Sequence, residues 1–367
     1  MRTTLSLTFA LLTAAACSDA GTGMDAPLDA ASGAADSSRP DAAPAADAGP
    51  AEQAESTPVP LPDGAPGIGF DDLQWSAALD RVIVPAGRAG YVGLLDPRSN
   101  RVTRLGELSA TDAYAGGHGF GATSAIEAEG LVYAIDRTAM ELVQLDPSTG
   151  DAHAAVALGA SPDYVRFVPA TRELWVTEPT AQRFEIFALD DGTPPALTLA
   201  GELGVSGGPE SMVVAPDGTT AYTNTFAGET LRIDTVARSE DARFDNGCVI
   251  SLGLAIDETG ERLFVACGEG EAKSLDAVEG SVLSTLVASG GLDVIAYSSA
   301  LQHLYLNGSD VGVLTVAGVA DDGTLTELAT VATAPSSGSS CVASDAYADI
   351  WVCDANAGQL SKIVDDY

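Results

Sequence analysis

The sequence predicts an all-β fold built from repeats, and three observations carry that expectation. Short apolar stretches separated by turn residues recur through most of its length, and no window shows helical periodicity. Gly 39, few aromatic residues and abundant Val, Ile and Thr suit many short strands joined by tight turns. The pattern is clearest in residues 210–234, which hold an apolar strand at 212–215, a Pro-Asp-Gly turn and a second strand centred on Tyr222. A Gly-containing loop follows, then a third strand ending on Ile233-Asp234.

From Gly67 onward the second-strand centres fall at Ile83, Tyr133, Trp175, Tyr222, Phe264, Tyr305 and Trp351, spaced 41 to 50 residues apart. A period in the forties with four strand signals per repeat is the signature of a propeller blade, so residues 67–367 are expected to form a seven-bladed β-propeller of four-stranded blades. Six of the seven centres are aromatic, as befits side chains that fill the wedge between neighbouring blades. In most repeats the third strand ends in an apolar residue and an aspartate before a turn: Leu95-Asp96, Leu145-Asp146, Leu189-Asp190, Ile233-Asp234, Leu275-Asp276 and Val364-Asp365. The sixth departs, with Val316-Ala317-Gly318. The seventh repeat reaches only its third strand at Tyr367. Residues 57–62, TPVPLP, are expected to supply its outer strand, because prolines are tolerated on an outermost edge.

Three stretches carry a family resemblance: Ala215-Pro216-Asp217-Gly218 with Ala221-Tyr222-Thr223-Asn224 and Leu231-Arg232-Ile233-Asp234, then Leu174-Trp175-Val176-Thr177-Glu178, then Leu304-Tyr305-Leu306-Asn307. Over about residues 67–367 the chain resembles the YVTN family of propellers. That resemblance implies the fold. It leaves function open, since YVTN-type propellers include surface-layer proteins, periplasmic binding proteins and lactonase-like enzymes.

Residues 1–17 read as an export signal: Arg2, an apolar run at 5–12, then Thr13-Ala14-Ala15-Ala16-Cys17. The run is too short for a permanent membrane span, which needs about 20 apolar residues. Cys17 after three alanines resembles the lipobox of bacterial lipoproteins, in which that cysteine is acylated. Ala14 stands where that family usually carries Leu, so cleavage at an A-x-A site is the rival reading. Ser18, in place of an inner-membrane-retaining aspartate, points by the same resemblance to the outer membrane, at its periplasmic face or the cell surface. Residues 18–66 are nearly all Ala, Asp, Pro, Gly and Ser, and are expected to be a disordered tether. As a flexible coil it would span roughly 40 Å.

Lys+Arg is 17 against Asp+Glu 52, a formal net charge of -35. Such a chain repels nucleic acid and anionic headgroups, and favours cations, basic partners or plain solubility. The expected contact with a membrane is through the lipid anchor alone, and the expected state is a monomer.

Five cysteines less an acylated Cys17 leave four. Cys341 and Cys353 are placed symmetrically about the turn at 345–349, and Cys248 and Cys267 nearly so about the matching turn of the fifth repeat. In an exported chain the simplest reading is two disulfides within blades. A metal site is the alternative, although no C-x-x-C occurs and no histidine adjoins either pair.

In a propeller the loops leading into the innermost strands line one mouth of the central channel. The positions twelve residues before each second-strand centre are Asp71, Gly121, Asp163, Glu210, Leu252, Asp293 and Ser339. Four are carboxylates, where 52 acids in 367 residues would place about one. Asp71, Asp163, Glu210 and Asp293 are thus expected to form a ring that needs a cation, bound water or raised pKa values. Hard oxygen ligands of this kind suit Ca²⁺ or Mg²⁺. Asp136, Glu178 and Asp354, three residues after their centres, would add acidic loops on the same face. Equally, acidic loops are common in so acidic a chain.

His118, within the Gly-rich run at 116–121, leads into the second blade and is the best placed of the three histidines for general acid–base work. A loop histidine bonding only to backbone is its plain alternative. His153, on an outer strand, and His303, beside a turn on the opposite face, are expected to be solvated. No G-x-S-x-G elbow, Walker loop, C-x-x-C-H or dinucleotide fingerprint occurs, which disfavours serine hydrolase, nucleotide and haem chemistry. The sequence thus points to a binding or interaction module whose mouth takes a protein or small-molecule ligand. Its rivals are a divalent-metal-dependent lactonase- or lyase-like enzyme at the same mouth, with the four carboxylates as ligands and His118 as acid–base, and a structural surface protein without a site.

Overall fold

The computed structural model describes residues 56–336 and 340–367. The expected signal peptide, Cys17 and most of the expected tether lie outside them. Seven four-stranded antiparallel sheets follow one another along the chain. Their innermost strands are Gln74–Ser76, Ala122–Ala128, Val165–Val168, Met212–Val214, Ser251–Ile256, Ile295–Ser298 and Val342–Ser344. These strands pack against one another in turn, the seventh against the first, and so close a ring. The chain is a seven-bladed β-propeller. Among the described residues no helix is long and apolar enough to cross a membrane.

The periodic aromatics explain why the blades stack. All seven second-strand centres are buried, and each joins a cluster shared with the next blade. Tyr133 packs with Leu174 and Phe187, Trp175 with Met212 and Leu231, and Phe264 with Leu304 and Leu306. Trp351 closes the ring by packing with Val82 and Val84 of the first blade. Burying each such side chain contributes about 1.5–3 kcal/mol. Their polar tips are paired, as buried Trp and Tyr require. Trp351 donates to Asp345 at 2.8 Å, Trp175 to Glu173 at 3.0 Å, and Tyr222 to the Ala277 carbonyl at 3.0 Å.

The recurrent aspartate after the third strand caps the turn into the outer strand. Asp96, Asp146, Asp190, Asp234 and Asp276 each accept the backbone N–H two residues on, at 2.7–3.0 Å. A short carboxylate bonding its own turn is the physical reason aspartate recurs there. Asp365 departs: it receives the Tyr305 hydroxyl at 2.5 Å and pairs with Nδ1 of His303 at 2.8 Å. His303 is therefore buried in a wedge, contrary to the solvated position expected for it. His153 is exposed, as expected.

Thr57–Pro60 supplies the outer strand of the seventh blade, pairing antiparallel with the strand Gln359–Val364. The folded body thus begins at Thr57, ahead of the expected Gly67, and residues 57–66 belong to it rather than to the tether. Arg88 fixes this segment: it is buried and donates to the carbonyls of Gly67, Asp63 and Gly64. The Tyr91 hydroxyl donates to the Pro62 carbonyl at 2.7 Å.

The four body cysteines form two disulfides, Cys248–Cys267 and Cys341–Cys353, with Cα atoms 5.2 and 5.4 Å apart. Cys341 and Cys353 are cross-strand neighbours, and the Cys353 N–H donates to the Cys341 carbonyl. Cys248 lies in the loop before the inner strand Ser251–Ile256 and is tied to the end of the strand Arg262–Cys267.

Candidate ligand-binding site at the channel mouth

The inner strands start at one mouth, and the loops leading into them bring the four expected carboxylates together. Asp71 arrives just before Gln74–Ser76, Asp163 before Val165–Val168, Glu210 before Met212–Val214 and Asp293 before Ile295–Ser298. Asp71, Asp163 and Glu210 are buried and Asp293 partly so. The Asp163 N–H donates to Thr177 O and that of Glu210 to Asn224 O, so each acid is anchored to the second strand of its own blade. Ser339, the matching position of the seventh blade, lies outside the described residues.

The expected ring contains its own cation. The guanidinium of Arg137 pairs with Asp163 through Nη2 and lies 3.6 Å from Asp71 through Nη1. It also donates to the carbonyls of Pro162 at 2.8 Å and His118 at 3.2 Å. Tyr164 crosses the channel from the third blade, its hydroxyl reaching Asp71 at 3.2 Å and Asp293 at 3.5 Å. Nδ1 of His118 stands 3.5 Å from Asp71. The four carboxylates therefore do not act as one ligand set. Asp163 belongs to Arg137, whereas donor atoms of Asp71, His118 and Asp293 lie within 4.8 Å of one another.

Burial makes this cluster hold protons. The carboxyls of Asp71, Asp163 and Asp293 are pushed up to about 7, first by loss of water and then by one another's charge, with Arg137 opposing the shift at Asp71 and Asp163. Glu210 is pushed up to about 10, by burial and then by Asp163, Asp293 and Asp71. The Tyr164 phenol is raised well above its ordinary value for the same reasons. Arg137 is raised too: burial works against its charge, and Asp163 and Asp71 more than offset that.

Below this layer a second ion pair spans the channel. Arg166 grips Asp72 with both Nη atoms, at 2.7 and 3.2 Å, and donates to the Met212 carbonyl. Ser124 and Gln74 complete the shell of Asp72. Beneath lies a cavity of about 260 Å³ of mixed lining, with Leu73, Leu254 and Val294 beside Gln74, Arg166 and Ser344. Above, on the mouth side, a cavity of about 590 Å³ is lined by His118, Arg137, Asp163, Glu210, Leu252, Asp293 and Phe226, with Ser161, Thr180 and Gln182 adding hydroxyl and amide groups.

Three acids expected on this face have structural duties. Asp136 accepts the N–H groups of Ser109, Thr138 and Ala139. Glu178 pairs with Arg183 and accepts the Ala160 N–H. Asp354 accepts from Ala357 and Gln359. Residues the sequence reading missed are Arg137, Tyr164, Arg166 and Phe226. A signal did exist for two of them. Four residues after the second-strand centres stand Gly87, Arg137, Pro179, Phe226, Gly268, Ser309 and Ala355, and three of these line the mouth cavity. Arg137 is the one basic residue in that register.

No family model matches the chain, and no curated protein sequence does. Solved structures match by fold. A chain of the mitotic checkpoint complex has a TM-score of 0.68 at 14% identity, over 89% of this chain and 97% of that one. A chain of Kuenenia stuttgartiensis hydrazine synthase has 0.64 at 13%, over 82% and 96%. The β-propeller domain of Cps50 (Swd1) from Myceliophteria thermophila has 0.64 at 12%, over 85% and 99%. At such identities the likeness establishes the propeller and nothing finer.

Proposed function

We propose that this chain is an exported, lipid-anchored propeller of the YVTN type that acts as a binding module at the cell envelope, engaging its ligand at the acidic mouth. The observation that carries the reading is the convergence of Glu210, Asp163, Asp293 and His118, from four different blades, on one cavity of about 590 Å³. That volume lies in the range of small-molecule sites, roughly 300–1,000 Å³. Several buried groups with shifted protonation around one cleft make it a candidate functional site. Export is supported by the signal-like residues 1–17 and fits two intrablade disulfides. Anchoring is tested by labelling with a radioactive fatty acid: Cys17→Ala abolishes incorporation if Cys17 is acylated.

The binding reading is tested by a thermal-shift screen of amines, acids, sugars, nucleotides and metal ions. It compares the full chain with a Glu210→Gln, Asp163→Asn double variant. A ligand that raises the melting temperature of the first and not the second is expected. A screen in which no class of compound acts through the mouth overturns the reading.

A second reading, a divalent-metal-dependent lactonase- or lyase-like enzyme, has one specific observation in its favour. Asp71 and Asp293 could hold a Ca²⁺ or Mg²⁺ ion, with His118 beside them as acid–base. Titration of either ion into metal-stripped protein decides it.

A further inference from the structure

We propose that the mouth takes a small organic cation, a primary ammonium or guanidinium group carried on an apolar body, with Glu210 as its counter-ion. The inference rests on the binding reading above and names the class of ligand.

Glu210 is 6% exposed and lines the mouth cavity, and its Oε2 is buried without a hydrogen-bond partner among the described residues. Buried polar atoms are nearly always paired, so the Glu210 carboxyl has room for a donor, from water or from a ligand in the adjoining cavity. The same cluster shows which donor it accepts. Arg137 already supplies a guanidinium to Asp163 and Asp71, but no ion pair reaches Glu210 or Asp293 among the described residues. An anionic ligand would meet three carboxyl groups here, Asp163, Glu210 and Asp293.

The cavity also offers an apolar wall. Phe226, 44% exposed, and Leu252 line it together with Glu210. An aromatic face beside a carboxylate suits a cation on an apolar stem, since the ring attracts positive charge and buries the stem. A bare metal ion would leave most of the 590 Å³ to water. The net charge of -35 draws cations toward the protein.

The test is calorimetry on the full chain near neutral pH. The probes are 2-phenylethylamine, its uncharged counterpart 2-phenylethanol, agmatine and Ca²⁺. Saturable binding of an amine is expected, with the alcohol at least about ten-fold weaker. Glu210→Gln is expected to weaken the amine about ten- to hundred-fold, the loss of one charge-assisted hydrogen bond. Phe226→Ala, an exposed position that cannot unfold the blade, should weaken phenylethylamine several-fold and agmatine less. Equal binding of amine and alcohol, or an amine affinity unchanged in Glu210→Gln, overturns the inference and leaves the mouth as a site of another kind. Binding of Ca²⁺ without either amine overturns it in favour of the metal reading. If neither amine binds while the broader screen finds neutral or anionic ligands lost in the mouth variant, only this inference fails. A screen empty of every class removes the binding reading as well.

Discussion

Replacing Arg137 with methionine should destabilise the propeller by an amount that depends on pH. The guanidinium pairs with Asp163, lies 3.6 Å from Asp71, and donates to the carbonyls of Pro162 and His118. Removing one partner of a buried ion pair costs about 3–5 kcal/mol, because the other charge is left behind. Once the carboxyls are protonated, only the orphaned carbonyls remain, at about 1–3 kcal/mol. The folded carboxyls of Asp71 and Asp163 titrate near 7, and loss of a positive neighbour raises them further. In the unfolded chain they ionise near 4. Between those values the folded state binds more protons than the unfolded one, so its stability falls as pH rises. The variant should therefore lose about 1–3 kcal/mol at pH 4.5 and about 3–5 kcal/mol at pH 8. Urea unfolding under oxidising conditions at pH 4.5, 6 and 8 measures both. The same loss at all three values would mean that Arg137 is only a packing and hydrogen-bonding residue.

Three further perturbations follow from the same structure. The wild-type melting temperature should fall between pH 5 and 8, as three aspartates raised to about 7 lose their protons in the folded state, and Asp163→Asn should shrink that fall. An identical slope in the variant would remove Asp163 from the titrating cluster. Val59 is buried in the closing strand, so Val59→Asp should cost at least about 2 kcal/mol, read by urea melts; no change would mean that the strand does not close the ring in solution. Replacing Cys341 and Cys353 by serine opens a link between residues 12 apart in sequence. Stability should drop by about 3 kcal/mol, and reductant should then have a smaller effect on the double variant than on wild type.

Much of the fold was legible because it rests on local periodicity. The strand–turn–strand unit, the wedge aromatics and the Asp-capped turns each lie within about ten residues of one another, so their spacing survives in sequence. The cysteine pairs were legible for the same reason, each spanning one hairpin. The acidic mouth was legible through register alone: a fixed offset from the second-strand centre locates the loop leading to the axis. What sequence could not show is which side chains meet across the ring. Tyr164 reaches Asp71 and Asp293 over separations of 93 and 129 residues, and Arg166 reaches Asp72 over 94. His303 was misplaced because its partner Asp365 belongs to the next blade, 62 residues away. Asp136, Glu178 and Asp354 were expected on the same face but bond to their own loops and, for Asp136 and Glu178, to the loops of Ser109 and Ala160, a choice that backbone geometry makes and residue type does not reveal.

Arg137 also decides between the two kinds of cation the mouth could hold. A divalent ion on Asp71 and Asp293 would share Asp71 with a guanidinium 3.6 Å from that carboxylate. A dication and a monocation about 5 Å apart repel by roughly 7 kcal/mol at an effective dielectric near 20. Glu210 is differently placed. Arg137 is second only to burial among the influences on Asp71, whereas on Glu210 it comes after burial and three carboxylates. A monocation at Glu210 thus keeps the attraction of the acids and escapes most of the repulsion. It follows that Arg137→Met should gain Ca²⁺ affinity as it loses stability, and that millimolar Ca²⁺ should restore part of the loss at pH 8 but little at pH 4.5, where the carboxyls are protonated. Calcium titrations of both proteins, with urea melts in its presence, measure the trade. Tight Ca²⁺ binding by the wild type that weakens in the variant would show that the guanidinium helps to build a metal site, and the argument from charge would fall.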